Sequence, residues 1–207
     1  MPERLRGLYV IIDPALTRGR DPAWIASEAI AGGARLIQWR DKTRDKGMQL
    51  PDLKSVLTAC REANIPLIVN DHADLALSVG ANGAHVGQKD LPVAAVRRLV
   101  PADWIIGAST NNVEEAVQAE RDGATYIAVG NLFGSGSKTD TRPATLETLR
   151  AIEASVSVPV CAIGGINNSN IADVIAAGAD MATVISAVCS AGDPRASTHS
   201  LASAFEV

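Results

Sequence analysis

Eight short apolar runs recur from one end of the chain to the other. They are Leu8–Ile12, Leu36–Trp39, Leu67–Val69, Ala84–Val86, Ile105–Gly107, Tyr126–Val129, Val160–Ile163 and Ala182–Ile185. Each is near-continuously apolar rather than alternating, which suits strands buried on both faces of a parallel sheet. Longer amphipathic stretches separate them. Ile25, Ala29 and Ile30 share one helical face, as do Leu53, Val56, Leu57 and Cys60. Asp21-Pro22 has the form of a helix start, and Asn64 and Pro66 that of a helix end. Glycines at Gly32-Gly33, Gly80, Gly123 and Gly178 close helical patterns ahead of alternate runs, where a left-handed C-cap is wanted.

Eight strand–helix units in 207 residues leave about 26 residues each, near the low end for a (β/α)8 barrel. The sequence therefore predicts an α/β fold, a single-domain (β/α)8 TIM barrel spanning residues 1–207 with short loops. A doubly wound open sheet is the alternative, and the regularity of eight units favours the barrel. Aromatics make up only 3% of the chain, whereas alanine supplies 34 residues. Such a barrel is expected to pack with small and branched aliphatics and to leave little room for rings.

Charge narrows the partners. Lys plus Arg is 19 against 23 Asp plus Glu, a net charge of −4, which disfavours non-specific binding to nucleic acid or anionic membranes. No run approaches the roughly 18 apolar residues of a membrane span. The first apolar run is shorter than the roughly 7–15 residues of a secretory signal. Cys60, Cys161 and Cys189 are odd in number and far apart, as expected of a reduced, cytoplasmic protein. Oligomeric state stays open, a homo-oligomer included.

Barrel active sites lie in the loops after the strand C-termini. Gln38-Trp39-Arg40-Asp41-Lys42 ends the second run, Asn70-Asp71 the third, and Gly87-Gln88-Lys89-Asp90 the fourth. Ala108-Ser109-Thr110 follows the fifth and Gly130 to Lys138 the sixth, including Ser135, Gly136 and Ser137. Gly164-Gly165 follows the seventh, and Ser186 follows Ile185 at the eighth. Arg40, Lys42 and Lys138 supply cations, while Asp71 and Asp90 are carboxylates on neighbouring strands. Mg2+ is usually held by one or two carboxylates plus substrate phosphates, so this set suits a metal-bound diphosphate. The turns after the last two strands suit a separate phosphate. Taken singly, Asp71 and Asp90 read equally as helix caps, and the glycine-rich loop is no P-loop. His72, His85 and His199 lack metal-ligand spacing, and His85 reads as a structural strand residue. Cys161 has no evident activating partner.

This ordered set resembles the thiamine phosphate synthase (thiamine-phosphate pyrophosphorylase) family from Leu8 to about Ala191. Gln38, Trp39, Arg40, Asp41 and Lys42 are similar to its Q-[YW]-R-x-K segment, and Val69-Asn70-Asp71 to its V-N-D. Gly83-Ala84-His85-Val86-Gly87-Gln88-Lys89-Asp90 resembles its G-x-H-[IVL]-G-Q-x-D, and Gly107-Ala108-Ser109 its G-x-S. Ala162-Ile163-Gly164-Gly165-Ile166 and Ile185-Ser186 are similar to its phosphate-binding ends.

The resemblance implies an enzyme that moves the aminopyrimidine methyl group from hydroxymethylpyrimidine diphosphate to a thiazole phosphate. It implies Mg2+ on Asp71 and Asp90. Gln38, Arg40, Lys42, Asn70, Ser109 and Lys138 would hold the pyrimidine diphosphate, and Trp39 and Asp41 in the same segment are expected to bind substrate. Arg40, Lys42, Lys138 and Ser109 would act on the reacting groups. Ser135, Gly136, Ser137, Gly165, Ile185 and Ser186 would hold the thiazole phosphate. The chain departs from the family where Asn131 replaces a proline and Ser135 and Ser137 stand where threonines are common. With Gly134 and Gly136 beside them, residues 130–138 are expected to form a loose lid. Competing expectations are a thiazole tautomerase-like relative, a non-catalytic sensor of thiamine phosphates, and a sugar-phosphate epimerase or lyase. The first lacks the full cation and carboxylate set. The last needs an acid/base pair or Schiff-base lysine that the runs do not supply.

Overall fold

The structure is a computed structural model that describes residues 5–134 and 142–206. Its eight strands are β1 (Gly7–Ile12), β2 (Leu36–Trp39), β3 (Leu67–Asn70), β4 (Gly83–Val86), β5 (Ile105–Thr110), β6 (Tyr126–Val129), β7 (Val160–Ile163) and β8 (Met181–Val184). They close in sequence order, every neighbouring pair parallel, with β8 returning to β1. This is the (β/α)8 barrel that the run pattern predicts. The open-sheet alternative fails because β1 and β8 pair over Gly7–Val10 and Met181–Val184.

Helices follow the strands. They are α1 (Pro22–Ala31), α2 (Lys46–Glu62), α3 (Ala73–Val79), α4 (Val93–Leu99), α5 (Val113–Arg121), α6 (Leu146–Glu153), α7 (Ile171–Ala176), α8 (Ser186–Cys189) and α9 (Pro194–Ala202). Asp21 caps α1 by accepting from Ala23 N–H, with Pro22 in the first turn, as that dipeptide predicts. Gly33, Gly80, Gly123 and Gly178 all take positive φ at the helix ends. Several strand boundaries differ from the expected ones, and two of them bear on the site. Strand β5 runs on to Thr110, so Ser109 belongs to the strand, and β8 stops at Val184, so Ile185 is already the N-cap of α8.

Successive side chains on a strand point to opposite sides. One set packs between the sheet and the helices, including Val10, Ile12, Ile37, Trp39, Val69 and Ile127. The other fills the lumen, where Tyr9, Leu36, Ile68, Tyr126, Ala128, Cys161 and Met181 form their own buried cluster. The expectation of little room for rings fails in the lumen: both tyrosines of the chain lie inside it. Gly107 makes the room. It pairs with His85 on β4 and Tyr126 on β6, and a Cβ there would strike the Tyr126 ring and His85 Nδ1. Without it, His85 stacks on Tyr126 at 5.6 Å between centroids, and Tyr126 meets Tyr9 edge-on at 5.9 Å.

The variant Gly107→Ala is accordingly expected to lower stability by about 1–3 kcal/mol, read as an earlier urea unfolding midpoint with an unchanged slope.

Candidate active site

The C-terminal ends of the strands surround a cleft of about 770 Å3, within the usual range for small-ligand sites. Arg40, Lys42, Asn70, Asp71, Asp90 and Ser109 line the side built by β2 to β5, and Gly165, Ile185 and Ser186 the side built by β7 and β8. The fold thus brings nine of the expected site residues to one opening. Gln38 lies deeper, in the narrow floor beneath, with Tyr9, His85 and Ser109.

Trp39 and Asp41 do not reach the cleft. Alternation along β2 turns Gln38 and Arg40 inward and Trp39 outward. Trp39 Nε1 donates to Gln49 Oε1 on α2 at 2.9 Å, and the Arg44 guanidinium sits 5.8 Å from its ring centroid. Asp41 builds the turn into α2. Its carboxylate accepts from Thr43 N–H at 2.9 Å, Arg44 N–H at 3.1 Å and Arg44 Nε at 2.5 Å. Burial alone would raise its pKa, but these donors hold it below the ordinary carboxylate range. Both residues shape the segment that presents Arg40 and Lys42. Ser135, Gly136, Ser137 and Lys138, the last part of the expected lid, lie outside the described residues.

Asp71 and Asp90 come together as expected of neighbouring strand ends. Asp71 follows β3 in the left-handed region, φ 62°, and its N–H donates to His85 O at 2.7 Å. Asp90 Oδ2 accepts from Gly87 N–H at 2.8 Å, closing a tight turn after β4. The two carboxyl groups lie close enough for each to shift the titration of the other. Burial would raise Asp71, but the Lys42 ammonium, paired directly with it, holds its pKa below the ordinary value. Asp90 moves the other way: burial raises it and the Asp71 charge adds to that, against the opposing Gly87 N–H. Two close carboxylates of like charge, all-oxygen and flanked by Lys42, are the donor chemistry that a hard divalent cation fits.

Arg40 is buried and pairs with Asp13, just past the end of β1. Its Nε is buried with no hydrogen-bond partner among the described residues. Asp13 escaped the sequence reading, although it follows the first apolar run just as Arg40 follows the second. Other cleft residues without an assigned role are His85, Gln88, Lys89, Asn111 and Arg142. Gln88 Nε2 donates to Ser109 O at 2.7 Å. Asn111 Nδ2 donates to Gly130 O at 2.6 Å and Arg142 O at 2.8 Å, and Arg142 pairs with Glu115 at 2.7 Å. Of these, only position after a strand marked Gln88 and Lys89. Arg142 lies beyond the sixth-strand loop, and nothing local singles it out.

Gly165 needs its missing side chain. It sits at φ 65°, and a Cβ would run into Gly134 O and Phe133. Phe133 N–H donates to Gly164 O at 3.1 Å and Leu132 N–H to Ile163 O at 3.1 Å, so residues after β6 lie along the end of β7. The result is a pinched, glycine-lined turn facing Ile185 and Ser186.

Comparison with known proteins gives the family of the chain. A family model described as thiamine monophosphate synthase matches residues 8–188. The chain is 46% identical to the thiamine-phosphate synthase of Chloroflexus aurantiacus, over 94% of this chain and 90% of that protein. It is 48% identical to the thiamine-phosphate synthase of Methanoculleus marisnigri, over 94% and 92% of the two chains. The solved thiamine phosphate pyrophosphorylase of Pyrococcus furiosus superposes with a TM-score of 0.90 at 38% identity, over 98% of this chain and 96% of that one. Full-length identity at this level, on one fold, leads to a single assignment: the chain belongs to the thiamine monophosphate synthase family, whose members are transferases.

Proposed function

We propose that this protein joins an aminopyrimidine to a thiazole phosphate in the cleft, with Mg2+ held on Asp71 and Asp90. The observation that carries the reading is the gathering of Arg40, Lys42, Asn70, Asp71, Asp90 and Ser109 opposite Gly165, Ile185 and Ser186. One side suits a metal-bound diphosphate and the other a phosphate monoester.

In this reading, the C–O bond between the pyrimidine methylene and the diphosphate breaks, and its electron pair leaves with the diphosphate. The thiazole nitrogen uses its own lone pair to form the new C–N bond, giving thiamine monophosphate and pyrophosphate. A carboxylated thiazole also loses CO2. Because that nitrogen is already nucleophilic, the chain needs no general base. This agrees with a site built of cations, carboxylates and amides rather than a Ser–His or Cys–His pair. When bound, Mg2+ supplies charge neutralisation at the diphosphate. Arg40, Lys42 and Lys138 hold the diphosphate oxygens as negative charge develops on them. Asn70, Ser109 and Gln38 orient the pyrimidine. Gly165, Ser186 and the backbone at Ile185 hold the thiazole phosphate, together with Ser135, Gly136 and Ser137 as the family resemblance implies. Holding both rings in line supplies much of the rest. The low net negative charge, the cysteine pattern and these small-molecule substrates fit a cytoplasmic biosynthetic enzyme. No helix among the described residues is long and apolar enough to cross a membrane.

The direct test incubates the protein with hydroxymethylpyrimidine diphosphate, the thiazole phosphate and Mg2+, and follows thiamine phosphate and pyrophosphate. Equal amounts of both products are expected, and no turnover with fresh substrates overturns the reading. For Asp71→Asn, the Mg2+ concentration giving half-maximal rate rises and kcat falls by about a hundredfold; an unchanged metal titration would remove Asp71 from the metal site. For Lys138→Ala, kcat falls by about 10²-fold, measured with both substrates saturating. A loss confined to the thiazole KM would place Lys138 on the other substrate.

A further inference from the structure

The lumen beneath the cleft contains an unbroken chain of five polar side chains from five different strands. Gln38 Nε2 donates to the Tyr9 hydroxyl at 2.5 Å. The Tyr9 hydroxyl lies 3.0 Å from the Tyr126 hydroxyl. Tyr126 lies 2.9 Å from His85 Nδ1, and His85 Nε2 lies 2.8 Å from Ser109 Oγ. Gln38, Tyr9, Tyr126 and His85 are buried, and the chain ends at Ser109 on the cleft wall. A small apolar barrel gains nothing from burying four polar side chains for packing alone, because each must be satisfied to avoid a penalty.

Proton counting gives this chain a direction. A phenol has one proton to donate, and burial pushes both tyrosine pKa values upward, so both hydroxyls keep that proton. Tyr9 accepts from Gln38, and the other hydrogen-bond partner of its hydroxyl among the described residues is Tyr126. Tyr9 therefore donates to Tyr126. Tyr126 in turn donates to His85 Nδ1, which makes that nitrogen the acceptor. The neutral imidazole then carries its proton on Nε2 and gives it to Ser109 Oγ.

We propose that Tyr126 and His85 are positioning residues that fix the polarity of Ser109, so that its O–H donates into the cleft. The wall at Ser109 then selects a ring that presents an acceptor nitrogen there and rejects one that presents an N–H, which would meet a second donor. This inference rests on the reading of Ser109 as a residue that orients the pyrimidine. Gly107 belongs to the same device, since its missing Cβ is what lets Tyr126 reach His85.

The tautomer is readable without any substrate. Long-range 1H–15N spectra of the 15N-histidine-labelled protein, with His85 assigned by its loss in His85→Gln, should show a proton on Nε2 and none on Nδ1. A proton on Nδ1 overturns the relay. In kinetics at saturating thiazole phosphate, Tyr126→Phe should lower kcat/KM for the pyrimidine diphosphate about tenfold, the worth of one hydrogen bond. The thiazole KM should stay unchanged. In a Ser109→Ala background the same substitution should add no further loss. A merely structural role would lower the active fraction alike in both backgrounds and leave KM alone, and that result overturns the proposal. Ser109→Ala by itself separates the two claims. If it leaves the pyrimidine KM untouched, the role of Ser109 in substrate binding fails, whatever the tautomer. If it raises that KM while Tyr126→Phe does not, the relay alone fails.

Discussion

A closed ring of parallel strands allows each strand to turn only every second residue toward the lumen, and the rest of this molecule follows from that alternation. On β2 it sends Gln38 and Arg40 inward and Trp39 outward. On β5 it sends Gly107 and Ser109 inward. Because all eight strands run in parallel, their C-terminal ends open on the same side. Residues from β2, β3, β4, β5, β7 and β8 therefore meet at one cleft although they are spread along almost the whole chain.

The charge of the cleft is managed locally. The chain as a whole is acidic, yet Arg40, Lys42, Lys89 and Arg142 line the cleft while most acidic groups stand elsewhere. Two of the carboxylates that do face the cleft oppose each other. Lys42 relieves Asp71, and Asp90 bears the unfavourable remainder as a raised pKa. Arg40 is restrained by Asp13 from the neighbouring strand, which keeps a buried guanidinium paired and aimed. The supporting residues matter as much as the charged ones: Trp39, Gln49 and Asp41 hold the turn that carries Arg40 and Lys42.

The lumen shows why composition misleads about packing. With few aromatics and many alanines, the chain reads as a barrel filled by small aliphatic groups. Instead, its two tyrosines lie in the lumen, admitted by Gly107 and linked by hydrogen bonds to a glutamine, a histidine and a serine. A strand glycine looks like a defect in sequence. Its meaning depends on which residues its neighbours on both sides bring against it.

The sequence by itself determined the eight strand–helix units, the barrel and the family, because runs buried on both faces, glycine helix ends and ordered short motifs are local patterns. It also determined which residue types stand after each strand. The tertiary structure decided what those residues touch. Only strand register could separate Gln38 and Arg40 from Trp39 and Asp41, pair Asp13 with Arg40, or bring Arg142 to Glu115. Only closure of the ring could align Tyr9, Tyr126, His85 and Ser109, whose separations along the chain are far longer than any local motif. Hydrogen bonds act over about 3 Å of space, and distances of that kind are set by packing rather than by order along the chain.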